Sequence, residues 1–248
     1  MFSKIRPLIF KLDPELAHNL AIKALKFNFK PISNIQKDSS IETNIFGKTI
    51  SNPIGIAAGF DKDAEVYNSL FRLGFGFVEV GTITPLKQYG NSKPRLFRLE
   101  EDEALINRLG FNNSGANIVS SRIQSNSPKG LLGINIGPNK DTKNRLEDYL
   151  VCFRKFYTLG DYITINISSP NTENLRSFHN QNELDELIHA IEEEKKNLKA
   201  KTPIAVKISP DIEHSNIEKI SEILLKYKIS MVIISNTTDK NRENLKNI

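Results

Sequence analysis

Six short apolar runs rich in β-branched residues punctuate the chain, and each stops at small or polar side chains. Ile54-Gly55-Ile56-Ala57-Ala58-Gly59 runs into Asp61 and Lys62, Phe77-Val78-Glu79-Val80-Gly81 into Thr82, and Leu131-Leu132-Gly133-Ile134 into Asn135. Tyr162-Ile163-Thr164-Ile165 leads to Asn166, Ile204-Ala205-Val206 to Lys207, and Met231-Val232-Ile233-Ile234 to Ser235-Asn236-Thr237. Such runs read as strands buried on both faces. Between them lie longer stretches with apolar residues at helical spacing: Leu146 to Phe156, then Leu184, Leu187, Ile188 and Ile191, then Ile217, Ile220, Ile223 and Leu224. Strand–helix alternation predicts a parallel sheet. Polar residues at the C-terminal ends of parallel strands mark the face where a (β/α) barrel keeps its chemistry.

The flanks complete the plan. Phe2, Ile5, Leu8, Ile9 and Leu12 space a short amphipathic helix with Lys4, Arg6 and Lys11 between them. Asp13-Pro14-Glu15 supplies an N-cap, a proline at the first helical position and an acidic first turn for a second helix striped by Leu16, Leu20, Ala24 and Phe27. These helices either lie on a membrane surface or pack on the domain and cover its core. Residues 31–40 read as a polar linker, Phe46-Gly47-Lys48 as the turn of a hairpin, and 61–71 as the first crossover helix. The stretch 84–99, with Pro85, Gly90 and Pro94, is too irregular for a crossover and reads as a functional loop. A polar tail from Asp239 to Ile248 follows the sixth strand. A (β/α) barrel closes with eight strands. The expectation is therefore an α/β fold: a (β/α)8 TIM barrel truncated after about six strands, residues 41–248, behind an N-terminal helical extension, residues 1–40.

Composition narrows the partners. The chain has 248 residues, 39% hydrophobic and 25% charged, within the range of one such domain. No apolar window reaches membrane-spanning length, and the N-terminus lacks the features of a secretory signal. Thirty-four basic and 29 acidic residues give a formal charge of +5, with the lysines scattered rather than run together. No nucleic-acid motif accompanies them, so nucleic acid is set aside, and an anionic surface or acidic small molecules remain. Cys152 stands alone in a helical pattern and reads as a buried structural thiol in a reducing compartment. The four histidines show no metal-ligand spacing, so no metal is expected.

Two stretches carry candidate chemistry. In Ile165-Asn166-Ile167-Ser168-Ser169-Pro170-Asn171-Thr172, a buried strand ends in groups that cost free energy unless paired. Either they meet a ligand, or Ser169 and Asn171 cap a local turn. In Asn107-Arg108-Leu109-Gly110-Phe111-Asn112-Asn113-Ser114-Gly115, polar side chains surround two glycines that let backbone approach a ligand. The alternative is a helix cap, with Ser114 preceding a helix from Ala116 to Ile123.

Taken in order, the motifs resemble those of the class 2, quinone-dependent, membrane-associated dihydroorotate dehydrogenases. The resemblance runs from the N-terminal helices to Thr238. It is carried by Ala57-Ala58-Gly59-Phe60-Asp61-Lys62, Lys93-Pro94-Arg95-Leu96-Phe97-Arg98-Leu99, Asn107-Arg108-Leu109-Gly110-Phe111-Asn112-Asn113, Gly133-Ile134-Asn135-Ile136-Gly137, Asn166 to Thr172, Val206-Lys207 and Asn236-Thr237-Thr238. Each motif is weak alone; together, in this spacing, they are specific.

The resemblance implies an FMN across the strand ends, an oxidoreductase of pyrimidine biosynthesis that oxidises dihydroorotate to orotate, and a membrane quinone as acceptor. Ala58, Gly59, Phe60, Asp61, Lys62, Thr82, Asn135, Asn166, Lys207 and Ser235 are the implied cofactor residues. Lys62, Asn107, Arg108, Leu109, Gly110, Phe111, Asn166, Asn171, Asn236 and Thr237 are the implied substrate residues. A lysine and several amides suit an anion with amide edges. Ser169 is the implied catalytic base, with Phe111 and Thr172 beside its proton path. The N-terminal helices are the implied quinone access and membrane contact, with Arg98 near the tunnel, on the cytoplasmic side of the cell membrane. Ser235 stands where threonine is expected. The glycine loops that hold the FMN phosphate in this family lie in the last strands, which the sequence does not contain. Two rival expectations follow: a non-catalytic fragment or remnant that cannot hold FMN, and a related FMN-dependent pyrimidine oxidoreductase with a cysteine base.

Overall fold

A computed structural model describes residues 2–27, 38–172 and 175–246. The expected linker at 31–40 lies mostly outside them. Helix α1 (Phe2–Phe10) precedes α2 (Pro14–Lys26), whose Asp13 cap accepts the Leu16 N–H at 2.9 Å as the sequence predicts. The hairpin β1 (Thr43–Ile45) and β2 (Lys48–Ile50) turns at Phe46-Gly47, where both residues have positive φ.

The barrel then begins with β3 (Gly55–Ile56), α3 (Tyr67–Arg72) and β4 (Phe77–Ile83). The first crossover helix starts six residues later than its pattern suggests. The Asp61 carboxylate accepts the N–H groups of Glu65 and Val66 and holds 61–66 as turns. The expected loop at 84–99 contains a strand: β5 (Leu96–Leu99) pairs antiparallel with β6 (Ala104–Asn107) as a ribbon on the barrel face. Next come α4 (Ala116–Ser125), β7 (Leu131–Ile136), α5 (Arg145–Phe156), β8 (Tyr162–Asn166), α6 (Gln181–Asn197), β9 (Ile204–Ile208), α7 (His214–Lys226) and β10 (Met231–Ile234). The cap of α4 is Gly115 at φ 86°, not Ser114. On α6, Glu194 pairs with Arg154 of α5 at 2.9 Å.

Six parallel strands form one curled sheet in the order β10-β9-β8-β7-β4-β3. Strand side chains alternate between faces. Val78, Val80, Leu132, Ile134, Ile163, Ile165 and Val206 join the main core with Tyr149, Phe153, Phe156, Leu184, Leu187 and Ile191 from α5 and α6. The opposite face is built in layers. At its N-terminal end, Leu131, Tyr162 and Ala205 pack with Ile50, Phe46 and Phe77, so the β1–β2 hairpin plugs the bottom. Toward the C-terminal end the inward residues become polar: Glu79, Asn135, Thr164, Asn166 and Lys207. The strands are thus not uniformly apolar, as their runs suggest, but apolar outward and graded inward.

Helix α2 is fastened to the strand-end face by a buried fork. Arg95 donates to Glu15 from Nε (3.1 Å) and Nη2 (2.7 Å), and from Nη1 to the carbonyls of Tyr89 and Asn91. Arg95 holds the Glu15 carboxyl below its ordinary range. This stabilisation is full above the unfolded-state pKa and is lost as pH falls through the lowered folded value. Arg95→Ala leaves two carbonyls unpaired and the shielded Glu15 carboxylate with only the longer Lys93 contact at 3.5 Å. The expected loss is about 3–5 kcal/mol in urea unfolding, shrinking in acid; an unchanged midpoint would contradict this anchoring role.

Candidate active site

The C-terminal ends of the strands surround a cavity of about 340 Å³. It is lined by Ala57, Ala58, Gly59, Lys62, Gly81, Thr82, Asn107, Leu109, Gly110, Phe111, Asn112, Asn166, Ser169, Asn171, Lys207, Ser235, Asn236 and Thr237. The motifs at 57–62, 107–112, 166–171, 207 and 235–237, spread over 180 positions, therefore meet in one place.

Buried hydrogen bonds hold this wall. Glu79 accepts from Tyr162 and Thr164 on one oxygen and from Asn135 Nδ2 at 2.8 Å on the other. Asn135 Oδ1 accepts from Thr82 Oγ1 (2.6 Å) and Asn166 Nδ2 (3.1 Å). Asn166 Oδ1 accepts from the N–H and hydroxyl of Ser168, whose Oγ accepts from Asn236 Nδ2 at 2.9 Å. One connected network thus runs from the barrel interior to the tip of β10.

The loops over the strand ends are equally fixed. Asn113 bonds Thr84 and the Phe111 carbonyl and accepts the Gly115 N–H, while Gln88 reaches the Gly110 carbonyl at 2.9 Å. Phe111 sits at φ 51° and reaches the cavity from that turn. Asn171 Nδ2 bonds Asn107, joining the two candidate stretches. Arg176 donates to the Ser168 carbonyl and pairs with Asp211 and Asp239, and Thr238 donates to Asp211 at 2.6 Å, so the segment after β10 is tied back to β8.

Several groups face the cavity unpaired. Lys207 is 7% exposed, and its Nζ makes no hydrogen bond or ion pair among the described residues. Asn112 Oδ1 is buried without a partner. Lys62 is largely buried, which pushes its ammonium below the ordinary lysine range despite Glu15 and Asp63. At Gly59, φ 109°, a Cβ would meet nothing within 4 Å, so the wall there is bare backbone. An unpaired cation, an orphan acceptor, bare backbone and several amides suit a planar heterocycle with donor and acceptor edges. Ser169 is 4% exposed, lines the cavity, and accepts the Asn171 N–H at 3.2 Å. The capped-turn reading holds here, and Ser169 lines the cavity as well.

Four predicted residues stand behind the lining. Asn135 orients Asn166 and Thr82 from below. Asp61 caps the turn before α3, its carboxyl raised by burial. Phe60 meets His18 of α2 edge-on at 5.2 Å. Arg108 turns away onto the Pro94 carbonyl and the Phe97 ring. The cavity also uses Ala57, Gly81 and Asn112, which were quoted only within motifs or strands, and the network uses Glu79 and Ser168. The signal for Glu79 was present: a carboxylate in a run otherwise buried on both faces.

A second hollow of about 90 Å³ lies under α2, lined by Glu15, His18, Ile22, Phe60, Lys62 and Asn112 among others, and shares Lys62 and Asn112 with the main cavity. Burial first, then Lys62, lowers the His18 pKa to about 4. Arg98 donates to the Leu12 carbonyl at 2.8 Å and lies over the Phe10 ring, holding the α1–α2 corner. Cys152 is fully buried behind the sheet, where burial pushes its thiol up.

A parallel strand-and-helix sheet curled about a polar strand-end pocket defines the class: a TIM-barrel enzyme, here with six strands. The family model for dihydroorotate dehydrogenase matches residues 40–247, and the chain belongs to that family. It is 44% identical over 247 residues to dihydroorotate dehydrogenase (quinone) of Nitrosomonas europaea, spanning 96% of this chain and 72% of that protein. The same enzyme of Idiomarina loihiensis is 44% identical over 96% of this chain and 74% of its own length. Crystal structures of DHODH from Eimeria tenella, with ferulenol and ligand-free, superpose with TM-scores of 0.89 and 0.88 at 36% identity. They match 95% and 94% of this chain, which covers 69% and 72% of theirs. The family implies a flavin cofactor.

Proposed function

We propose that the pocket oxidises (S)-dihydroorotate to orotate with FMN as cofactor and a membrane quinone as acceptor. The observation that carries the reading is the convergence of Lys62, Lys207, Ser169 and the amides of Asn107, Asn166, Asn171 and Asn236 on one cavity. When bound, FMN supplies a two-electron acceptor for the hydride from substrate C6. Lys207, Asn166, Thr82, Ser235 and the Ala58-Gly59 backbone would hold its ring, with Lys207 offsetting negative charge. Lys62, Asn107, Asn171, Asn236 and Thr237 would hold the substrate's carboxylate and amide edges, under a cover made by Leu109, Gly110 and Phe111. Ser169 would take the C5 proton and, being weakly basic, pass it on along the path flanked by Phe111 and Thr172.

Residues 1–40 would form the quinone and membrane element and 41–248 the FMN barrel. Supporting this, Ile5 and Leu8 of α1, Leu12 of the turn after it, and Leu16 and Leu20 of α2 are exposed while Ile22 is buried against the barrel, so α2 both packs and presents an apolar side. Among the described residues no helix is long and apolar enough to cross a membrane; attachment would be peripheral, through α1 and α2, at the cytoplasmic side. The cysteine-base alternative has little support, because the one cysteine lies behind the sheet.

Comparing acceptors tests the reading. Dihydroorotate oxidation is expected with a short-chain quinone and not with NAD or fumarate; turnover with NAD alone would refute it. Orotate affinity is expected to weaken as pH rises through the lowered Lys62 pKa, which lies below the ordinary lysine value of 10.5. Lys62→Met is expected to weaken binding about 10- to 100-fold and erase that inflection in calorimetric titrations.

A further inference from the structure

We infer that Glu79, a residue outside the cavity, is the positioning residue that sets which way the amides of the flavin wall face. The inference rests on the flavin reading above. An asparagine amide presents an acceptor on one side and a donor on the other, and nothing in its shape selects between them. Here the selection starts at Glu79, 3% exposed on β4. Its Oε1 accepts Asn135 Nδ2 at 2.8 Å. That contact turns Asn135 Oδ1 toward Thr82 Oγ1 and Asn166 Nδ2, at 2.6 and 3.1 Å. Asn166 then has its amide nitrogen committed to Asn135 and Thr82, and its oxygen faces Ser168, which in turn accepts from Asn236 at 2.9 Å. Reversing Asn135 would set donor against donor at Asn166, so one carboxylate fixes a relay across β7 and β8 to the tip of β10.

The other oxygen of Glu79 serves a different purpose. Oε2 accepts from the Tyr162 hydroxyl (3.0 Å) and Thr164 Oγ1 (2.8 Å), deeper in the barrel. Those two bonds anchor Glu79 without touching the relay. They allow a control that separates positioning from mere support.

The test compares Glu79→Leu, Glu79→Gln and Tyr162→Phe in the full chain, with FMN as the titrated probe and side-chain amide exchange of Asn135 and Asn166 read by NMR without flavin. Glu79→Leu removes the acceptor, so FMN affinity is expected to fall about 10- to 100-fold and both side-chain amides to exchange at least about tenfold faster. Glu79→Gln keeps one oxygen for either side, and an intermediate loss of at least about threefold is expected. Tyr162→Phe is expected to leave FMN affinity within about twofold. Should Glu79→Leu fail to fold, Glu79→Gln against Tyr162→Phe decides. Wild-type affinity and wild-type amide exchange in Glu79→Gln, or an equal loss in Tyr162→Phe, overturns the inference. If the wild type takes up no FMN, the flavin reading fails by itself, and the exchange data still decide the relay.

Discussion

Ser169→Ala is expected to lower dihydroorotate turnover by about 10²- to 10⁴-fold, the usual contribution of a positioned proton acceptor, while flavin stays bound. The reason is local. Ser169 lines the cavity at 4% exposure, and among the described residues its Oγ accepts one backbone N–H, from Asn171 at 3.2 Å. Alanine removes the oxygen and leaves the strand end and Pro170 in place. The side chains proposed for the flavin, Lys207, Asn166 and Thr82, do not bond Ser169. The loss should therefore appear in kcat with KM little changed, as for a group acting only in the transition state. Wild-type turnover would remove Ser169 from the base role, and loss of flavin would make it a structural residue.

Lys207→Met is expected to produce two effects of opposite sign. Flavin affinity should fall about 100-fold or more, because a charge-assisted hydrogen bond to the ring is lost. The flavin-free protein should become somewhat more stable, because an ammonium at the cavity wall with no partner among the described residues is replaced by an apolar chain of similar length. Lys207 pairs with no carboxylate among the described residues, although its register partner Asn166 lies beside it on β8. A lysine kept for packing or for an ion pair would lower stability when removed. Equilibrium unfolding of the flavin-free protein and FMN titration of both forms give the two signs independently. A stability decrease with unchanged affinity would contradict the cofactor role.

Much of this architecture is written in strand-length apolar runs. The six parallel strands fall where those runs lie, because outward-facing Val, Ile and Leu must meet helices whose own stripes, such as Leu184-Leu187-Ile188-Ile191, are equally plain. What pattern alone does not show is what one polar residue does inside a run. Glu79 sits among Val78, Val80 and Phe77, and only the register against Gly133 and the side chain of Tyr162 gives it three donors. The ribbon at 96–107 is equally hidden. Its residues pair through backbone and leave no clean alternation, since Phe97 and Arg98 are both half-buried beneath helix and loop. The site was legible in part. Lys62, Ser169, Asn171 and Lys207 stand at strand or loop ends and reach the cavity, whereas Arg108, between the lining residues Asn107 and Leu109, faces away because the Pro94 carbonyl and Phe97 ring hold its guanidinium. Sequence spacing places a residue near a site; which way it turns depends on long-range partners.

The visible flavin spectrum of the chain supplied with FMN, followed without oxygen or quinone as dihydroorotate is added, reads the transfer of electrons from substrate to cofactor by itself. The wild type is expected to bleach the flavin, Ser169→Ala under the same conditions to leave it oxidised over the same time, and a quinone to restore the colour in the wild type. A wild-type flavin that stays oxidised in the presence of dihydroorotate would contradict the assignment of this pocket to dihydroorotate oxidation.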